Sequence, residues 1–193
     1  MPAPNPVAYV DNPLDLYDPI GLAPCRKEHY TWTDGAGGRG GSIRYKPHDH
    51  LGRPTGVSAC IRPEMLDTGS EAGGTRPPGW RGNGNAFNEA RGHLLANRLG
   101  GAGTHHNARH NLVTQTNNPT NSPYQRDMIE APIYEAAKRG EIVQYDITPI
   151  YEGTNPIPIR LEYTAYGNRG FELTGWLDNP AAGVRTAIPG WKP

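Results

Sequence analysis

The chain is short of cysteine, carries no net charge and contains no long apolar run, and each absence narrows its class. Two cysteines, Cys25 and Cys60, in 193 residues fit either one disulfide or two free thiols, and the sequence leaves both open. A formal net charge of zero argues against a protein that grips nucleic acid by bulk electrostatics alone. No apolar stretch approaches the roughly 20 residues needed to span a bilayer. The opening Met1-Pro2-Ala3-Pro4-Asn5-Pro6 has neither the basic start nor the apolar core of a signal peptide. If the domain leaves a cell, something else is expected to carry it. The glycine-rich loops lack the Gly-Lys-Ser/Thr ending of a nucleotide-binding loop, and no internal repeat is visible.

What the chain does have is glycine and proline, 25 and 20 residues, far above the usual combined share of roughly 12%. Turns and irregular loops should outweigh long helices. Ten Tyr and four Trp supply side chains that bury area while keeping a polar edge wet, which separates the chain from disordered compositions. Charge is also unevenly placed. From Arg39 to Arg98 there are nine basic and five acidic residues, and eight of the nine cations are Arg, the better fork for phosphate.

Short β-leaning pieces are expected at Glu28–Thr33 and Gly41–Tyr45, with a turn leading into a strand across Leu51–Ile61. Glu71–Asn88 reads as a long loop, a class of segment that tends to be functional or mobile. Asn111–Thr116 reads as a strand. A helix should open with Ser122 as N-cap and Pro123 in its first turn, kink at Pro132 and end at Lys138-Arg139-Gly140. Ile142–Tyr151 and Ile157–Tyr166 read as two further strands, neighbours in an antiparallel arrangement. From Trp176 onward no element is assigned.

The chemistry concentrates in two places. Arg91-Gly92-His93-Leu94-Leu95-Ala96-Asn97 puts a guanidinium and an imidazole two residues apart, and Asn121-Ser122-Pro123 puts an amide at a helix start. Neutral imidazole is a proton acceptor near neutrality. An amide oxygen suits Mg²⁺, which keeps several waters and needs few protein ligands. A helix N-terminus favours anions, and arginine can fork onto a phosphate oxygen. Folded back on itself, the segment would be a β-β-α finger whose first limb and helix start converge. His105, His106 and His110 form a histidine-rich loop without a Cys or carboxylate partner. A polar loop facing nucleic acid is expected there in preference to a zinc site.

Arg91-Gly92-His93-Leu94-Leu95-Ala96-Asn97-Arg98-Leu99-Gly100-Gly101-Ala102-Gly103, then Asn111-Leu112-Val113-Thr114, then Asn121-Ser122-Pro123, resembles the DNA/RNA non-specific endonuclease family with its ββα-metal (His-Me) finger. Leu51–Thr55 and Gln144–Gly153 add to the likeness, which spans about residues 50–175. The resemblance implies an α+β fold, loop-rich, with the finger packed on an antiparallel β-sheet. It implies a metal-dependent hydrolase that cuts phosphodiesters in DNA and also in RNA. His93 would be the general base, Asn121 the protein ligand of Mg²⁺ (Mn²⁺ being the alternative), and Arg91 the clamp on the scissile phosphate. The family pattern has an Asp before the Arg, where this chain has Ala90. It also has a helical Glu eight residues after the metal Asn, where this chain has Ile129, with Glu130 beside it. Glu130 is taken as the counterpart, with Asp127 as its rival. Arg53, Arg76, Arg81 and Arg98 are further candidate contacts to phosphate. The competing readings are a nucleic-acid-binding module that retains the finger without cleaving, and a nuclease restricted to RNA.

Pro13 through Asp18-Pro19-Ile20-Gly21-Leu22 resembles the boundary that closes the core of Rhs-type polymorphic toxins. The likeness implies a boundary segment over residues 1–22, self-cleavage after Leu22 by a parent shell, and a toxin domain over residues 23–193. Such a toxin would be delivered to act in a target-cell cytoplasm, and its producer would need an immunity protein covering the cleft.

Overall fold

Strict alternation of buried and half-buried residues along Val143–Ile150 sets the architecture, because successive strand side chains point to opposite faces. In the computed structural model, which describes Cys25, residues 42–82 and residues 86–180, that strand lies at the centre of a five-stranded antiparallel sheet. Its members in chain order are β1 (Ser42–Tyr45), β2 (Val57–Ile61), β5 (Val143–Ile150), β6 (Arg160–Gly167) and β7 (Glu172–Asp178), and they are spatial neighbours in that same order. β3 (Glu89–His93) and β4 (Leu112–Thr116) form a separate two-stranded sheet. The α+β class, with few helices and antiparallel sheets, is as the sequence implied. The expected strand at Glu28–Thr33 and the boundary at Leu22 lie outside the described residues.

A short helix, α1 (Ala108–Asn111), precedes β4, and between β4 and β5 the chain is helical again. A wide helical segment, Asn117–Glu130, is interrupted by extended backbone at Asn118 and Ser122 and leads into α2 (Ala131–Lys138). Ser122 (φ −144°, ψ 124°) stands at the expected N-cap, ahead of Pro123. Pro132 does not break the helix. It falls in the first turn of α2, where its missing N–H costs little, and the turn before it widens so that the Ala131 N–H reaches the Arg126 carbonyl. The helix ends where Gly140 takes φ +88°. There the Gly140 N–H bonds the Ala137 carbonyl and the Glu141 N–H bonds the Ala136 carbonyl, which satisfies two end carbonyls at once.

One face of the sheet and the inner face of this helix share the core. Val57, Ala59 and Ile61 of β2, Val143, Tyr145 and Ile147 of β5, and Leu161 and Ala165 of β6 pack with Ile129, Ile133, Ala136 and Ala137. Leu94, Leu95 and Leu99, just beyond β3, enter the same cluster, so burial of apolar area fixes the finger to the sheet. Tyr145 donates from its hydroxyl to the Leu94 carbonyl, and the Tyr45 hydroxyl accepts from the Ala102 N–H at 2.9 Å. Cys25 and Cys60 are joined as a disulfide. Among the described residues no helix is long and apolar enough to cross a membrane.

β4 starts at Leu112, with Asn111 in the helical turn before it, and β5 spans Val143–Ile150; the larger departures from the sequence expectation are at β6 and β7. β6 begins at Arg160 and not at Ile157, because Pro156 and Pro158 have no N–H to give a ladder; pairing starts with the Ile159 N–H on the Ile150 carbonyl. β7 went unassigned in the sequence, since Gly175 interrupts its apolar pattern. Seven of its residues pair with β6, from Asp178↔Arg160 to Glu172↔Tyr166.

Candidate active site

β3 and β4 pair antiparallel with His93 opposite Leu112, Gly92 opposite Val113 and Arg91 opposite Thr114. Glu89, Arg91 and His93 therefore share one face of β3. Gly92 and Ala90 share the other, against which the Gln115 side chain lies. A Cβ on Gly92 would fall 1.7 Å from Gln115 Oε1, so the glycine between the arginine and the histidine is required by close approach.

His93 is half-buried, and its ring is oriented by one hydrogen bond. Nε2 lies 3.0 Å from the Ser70 carbonyl oxygen, which can only accept, so Nε2 carries the proton and Nδ1 is left with a lone pair. Burial holds the imidazole below its ordinary value. The Ser70 carbonyl and the Glu71 charge pull the other way, and the nearby Arg91 cation adds to the lowering. The ring is thus neutral at neutral pH, as a general base must be.

The loop after His93 is braced from within by Asn111. Its side-chain oxygen accepts the Leu95 N–H, its amide donates to the Leu95 and Ala102 carbonyls, and its own carbonyl accepts the Leu94 N–H at 2.7 Å. Asn111 has no exposed surface, so every polar atom of its side chain must be satisfied internally.

The helical segment enters beside the other end of β3. The Asn117 N–H bonds the Asn88 carbonyl, and the Asn118 backbone exchanges two bonds with the Asn88 side chain. It then runs back toward His93. Asn121 is half-buried at this entry, where its Nδ2 lies 3.4 Å from Asn117 Oδ1. Four residues on, Gln125 Nε2 donates to the His93 carbonyl at 2.6 Å and to Glu130 Oε1 at 3.1 Å, while Gln125 Oε1 accepts from Gln115. Glu130 is brought to the site. Burial lifts its carboxyl to about 6, against the Gln125 hydrogen bond and the Arg98 and Arg126 cations. Asp127 instead pairs with Arg126 on the exposed side of the helix.

The arginines separate into two groups. Arg53 is 8% exposed and is an internal strut. It is held by Asp49 at 2.7 Å, by the Gly153 and Asn155 carbonyls, and by the Tyr151 ring. Arg81 is neutralised by the buried Glu89 at 2.7 Å. Arg91 and Arg76 both lie over the Trp80 ring, at 5.3 and 5.7 Å, and Arg98 lies over Tyr134 at 4.1 Å. These three form no ion pair with a carboxylate among the described residues. Among the same residues no group of three His, Cys, Asp or Glu side chains could hold a metal. His110 stacks on His48 at 4.0 Å.

For a metal, the donor at this entry is the Asn121 amide oxygen. Its NH₂ group is turned to Asn117, which leaves Oδ1 for a ligand. One neutral hard oxygen, with the Glu130 carboxyl on the same helical segment, fits a hard divalent ion that retains most of its water. Sequence reading missed Gln125, Gln115, Asn111, Ser70 and Trp80. Only Gln125 had a local signal, its spacing from Asn121; the others act through contacts distant in sequence.

Residues 32–167 match the family model described as DNA/RNA non-specific endonuclease, a span that includes Arg91, His93, Asn121 and Glu130. No curated protein matches the chain significantly. Among solved structures, the fold is similar to that of NucA from Streptococcus agalactiae with magnesium ion bound (TM-score 0.63, 20% identity, covering 80% of this chain and 79% of that one). It is also similar to Sda1 nuclease with bound zinc ion (TM-score 0.59, 20% identity, covering 74% and 76%). With seven-tenths of its length inside the family model and the finger folded as described, the chain belongs to the DNA/RNA non-specific endonuclease family.

Proposed function

We propose that the chain is a divalent-metal-dependent endonuclease that hydrolyses phosphodiesters of DNA, and also of RNA, with little sequence preference. The observation that carries this is the linkage of base and helix. His93 has Nε2 pinned by Ser70, its Nδ1 lone pair open, and its carbonyl tied through Gln125 to Glu130 on the helical segment that Asn121 opens.

In the mechanism, His93 Nδ1 takes a proton from water as the water oxygen attacks phosphorus in line. The bond to the 3′ oxygen breaks, that oxygen takes a proton from solvent water, and a 3′-hydroxyl and a 5′-phosphate remain. Arg91, propped by the Trp80 ring, holds a non-bridging oxygen of the scissile phosphate. Asn121 would hold the ion, Mg²⁺ or Mn²⁺, whose chemistry is to stabilise the developing charge and the leaving oxygen. Glu130 would help to position water beside it. NucA carries magnesium and Sda1 carries zinc, which supports a divalent ion at this fold without choosing among them.

The Asp18-Pro19-Ile20-Gly21-Leu22 segment supports a further reading, a toxin domain released after Leu22 from an Rhs-type shell. It would be delivered into a target-cell cytoplasm and neutralised in its producer by an immunity protein. Incubating plasmid DNA and structured RNA with the protein and Mg²⁺, with and without EDTA and beside His93→Ala, tests the enzymatic reading. Cleavage by the native protein that stops with EDTA and in the variant is expected. Intact nucleic acid in every lane would end it.

A further inference from the structure

A cleft of about 860 Å³ opens near the candidate active site, and none of the described residues that line it is acidic. Its walls include His48, Arg76, Thr104, His105 and Arg109, with glycines and prolines completing them. The volume lies in the upper part of the roughly 300–1,000 Å³ range of ligand sites. Of the exposed or half-exposed arginines, Arg81, Arg126 and Arg160 are each neutralised by a carboxylate, whereas Arg91, Arg98, Arg139 and Arg169 form no ion pair among the described residues. Arg76 and Arg109 are exposed and meet no carboxylate among the described residues. Two unneutralised guanidinium groups in a concave site with no acidic residue in its described lining make a local positive potential in a chain of zero net charge.

The imidazoles add hydrogen-bonding capacity. His48 Nε2 is committed to the Arg109 carbonyl at 2.9 Å, which leaves its Nδ1 uncommitted and fixes the ring against the Arg109 backbone. His110 stacks behind it, with Nδ1 on the Lys46 carbonyl. The cleft wall is thus pre-set at the position of Arg109.

This cleft is linked to the candidate active site through side chains that contact both. Arg76, on its wall, shares the Trp80 ring with Arg91. Ser70 joins the two sites directly. Its carbonyl holds the His93 ring, while its hydroxyl oxygen accepts from the Gly103 and Thr104 N–H groups at 2.8 and 3.2 Å, and Thr104 lines the cleft.

We propose that this cleft is a second nucleic-acid subsite, in which Arg76 and Arg109 grip backbone phosphates beyond the scissile one. The strand would run from Arg91 across Trp80 to Arg76 and on to Arg109. The inference rests on the nuclease reading for its substrate class but makes a separate claim about binding.

The test is the affinity and salt dependence of fluorescein-labelled 30-mer duplex DNA and single-stranded RNA, measured by anisotropy. It uses the full chain in a His93→Ala background with EDTA, so that no cleavage intervenes. Arg109→Glu and Arg109→Gln are expected to weaken binding about ten-fold and to make the slope of log K against log salt shallower by about one for duplex DNA. Arg109→Lys should recover most of the slope, because it keeps the charge. Loss confined to one probe assigns the subsite to DNA or to RNA. Unchanged affinity and slope in both Arg109→Glu and Arg109→Gln would overturn the proposal. So would weakening in Arg109→Lys equal to that in Arg109→Glu. Failure of the nuclease reading shows up elsewhere, as native protein that leaves both nucleic acids intact with Mg²⁺.

Discussion

Gln125 donates one amide hydrogen to the carbonyl of His93 and another to the carboxylate of Glu130. The end of β3 and the helical segment are thereby tied at the residue that should take the proton. Removing the amide leaves a buried carbonyl and the Gln115 amide without partners, at a cost of about 1–3 kcal/mol. Gln125→Leu should therefore lower stability to urea. It should also cut kcat by about 10- to 100-fold, because the imidazole and the helix carboxylate lose their common brace. A structural defect alone would leave the pH profile in place. Displacement of its acid limb, with KM little changed, would identify Gln125 as a positioning residue, and full activity in a destabilised variant would refute that role.

His93 sets the sign of one pH effect. Burial lowers its folded value below the unfolded one, so over that interval the unfolded chain binds the extra proton. Stability then rises with pH through the interval and is lost as pH falls. The acid limb of kcat/KM should lie below the ordinary imidazole value of about 6.5. His93→Ala should cost about 10²- to 10⁴-fold in rate. A pH–rate profile of the native enzyme checks the first expectation, and an acid limb above the ordinary value would contradict the half-buried neutral ring.

Glu130 acts in the opposite direction. Its carboxyl is raised from 4.5 to about 6, so the folded state holds the proton longer than the unfolded one. Stability is fully present below the unfolded value and declines as pH rises through the folded one. A shift of that size is on the order of 2 kcal/mol. Glu130→Gln should raise the urea midpoint at pH 7.5 relative to the native protein, with the gain shrinking toward pH 4.5, and should reduce turnover. A variant destabilised equally at both pH values would show that the carboxylate is not under this burial penalty.

The finger was legible because its strands and helix are punctuated locally. Ser122-Pro123 opens the helix, Lys138-Arg139-Gly140 closes it, and the apolar residues after His93 announce burial. β7 was not legible, since Gly175 breaks the pattern and only the register with β6 makes a strand of Glu172–Asp178. At the candidate site, the residues proposed to perform chemistry could be named from their types, their spacing and the family resemblance. The residues that hold them could not, because Ser70 reaches His93 across 23 positions and Gln125 across 32. Arg53 shows the converse: an arginine in a basic stretch reads as a phosphate contact until Asp49 and two carbonyls are found occupying it.

Asn121 gives a test that separates metal binding from folding. Its Oδ1 meets no protein donor among the described hydrogen bonds, and its Nδ2 contact with Asn117 is long, at 3.4 Å. Asn121→Ala should therefore change the urea midpoint little while abolishing Mg²⁺-dependent cleavage. Calorimetric titration of Mg²⁺ into the native protein and the variant should show binding in the first alone. Equal heats from both would place the ion elsewhere.

Gly92 sits where backbone and side chain meet most closely. A methyl group there would fall 1.7 Å from Gln115 Oε1 and 2.2 Å from Gln115 Cδ, so Gly92→Ala must push the buried Gln115 amide away from β3. That amide bonds Gln125, which in turn bonds the His93 carbonyl, and the displacement therefore travels to the base. Overpacking of this kind costs about 1–3 kcal/mol, and at about 2–4 °C per kcal/mol for a chain of this size Tm should fall by about 2–12 °C. Activity should drop further than stability explains. Gln115→Ala in the same molecule relieves the clash, so the double variant should regain Tm over Gly92→Ala alone while kcat stays low for want of the Gln115–Gln125 bond. Thermal denaturation and initial rates on plasmid DNA measure both quantities, and a Gly92→Ala protein with native Tm would show that no such contact exists.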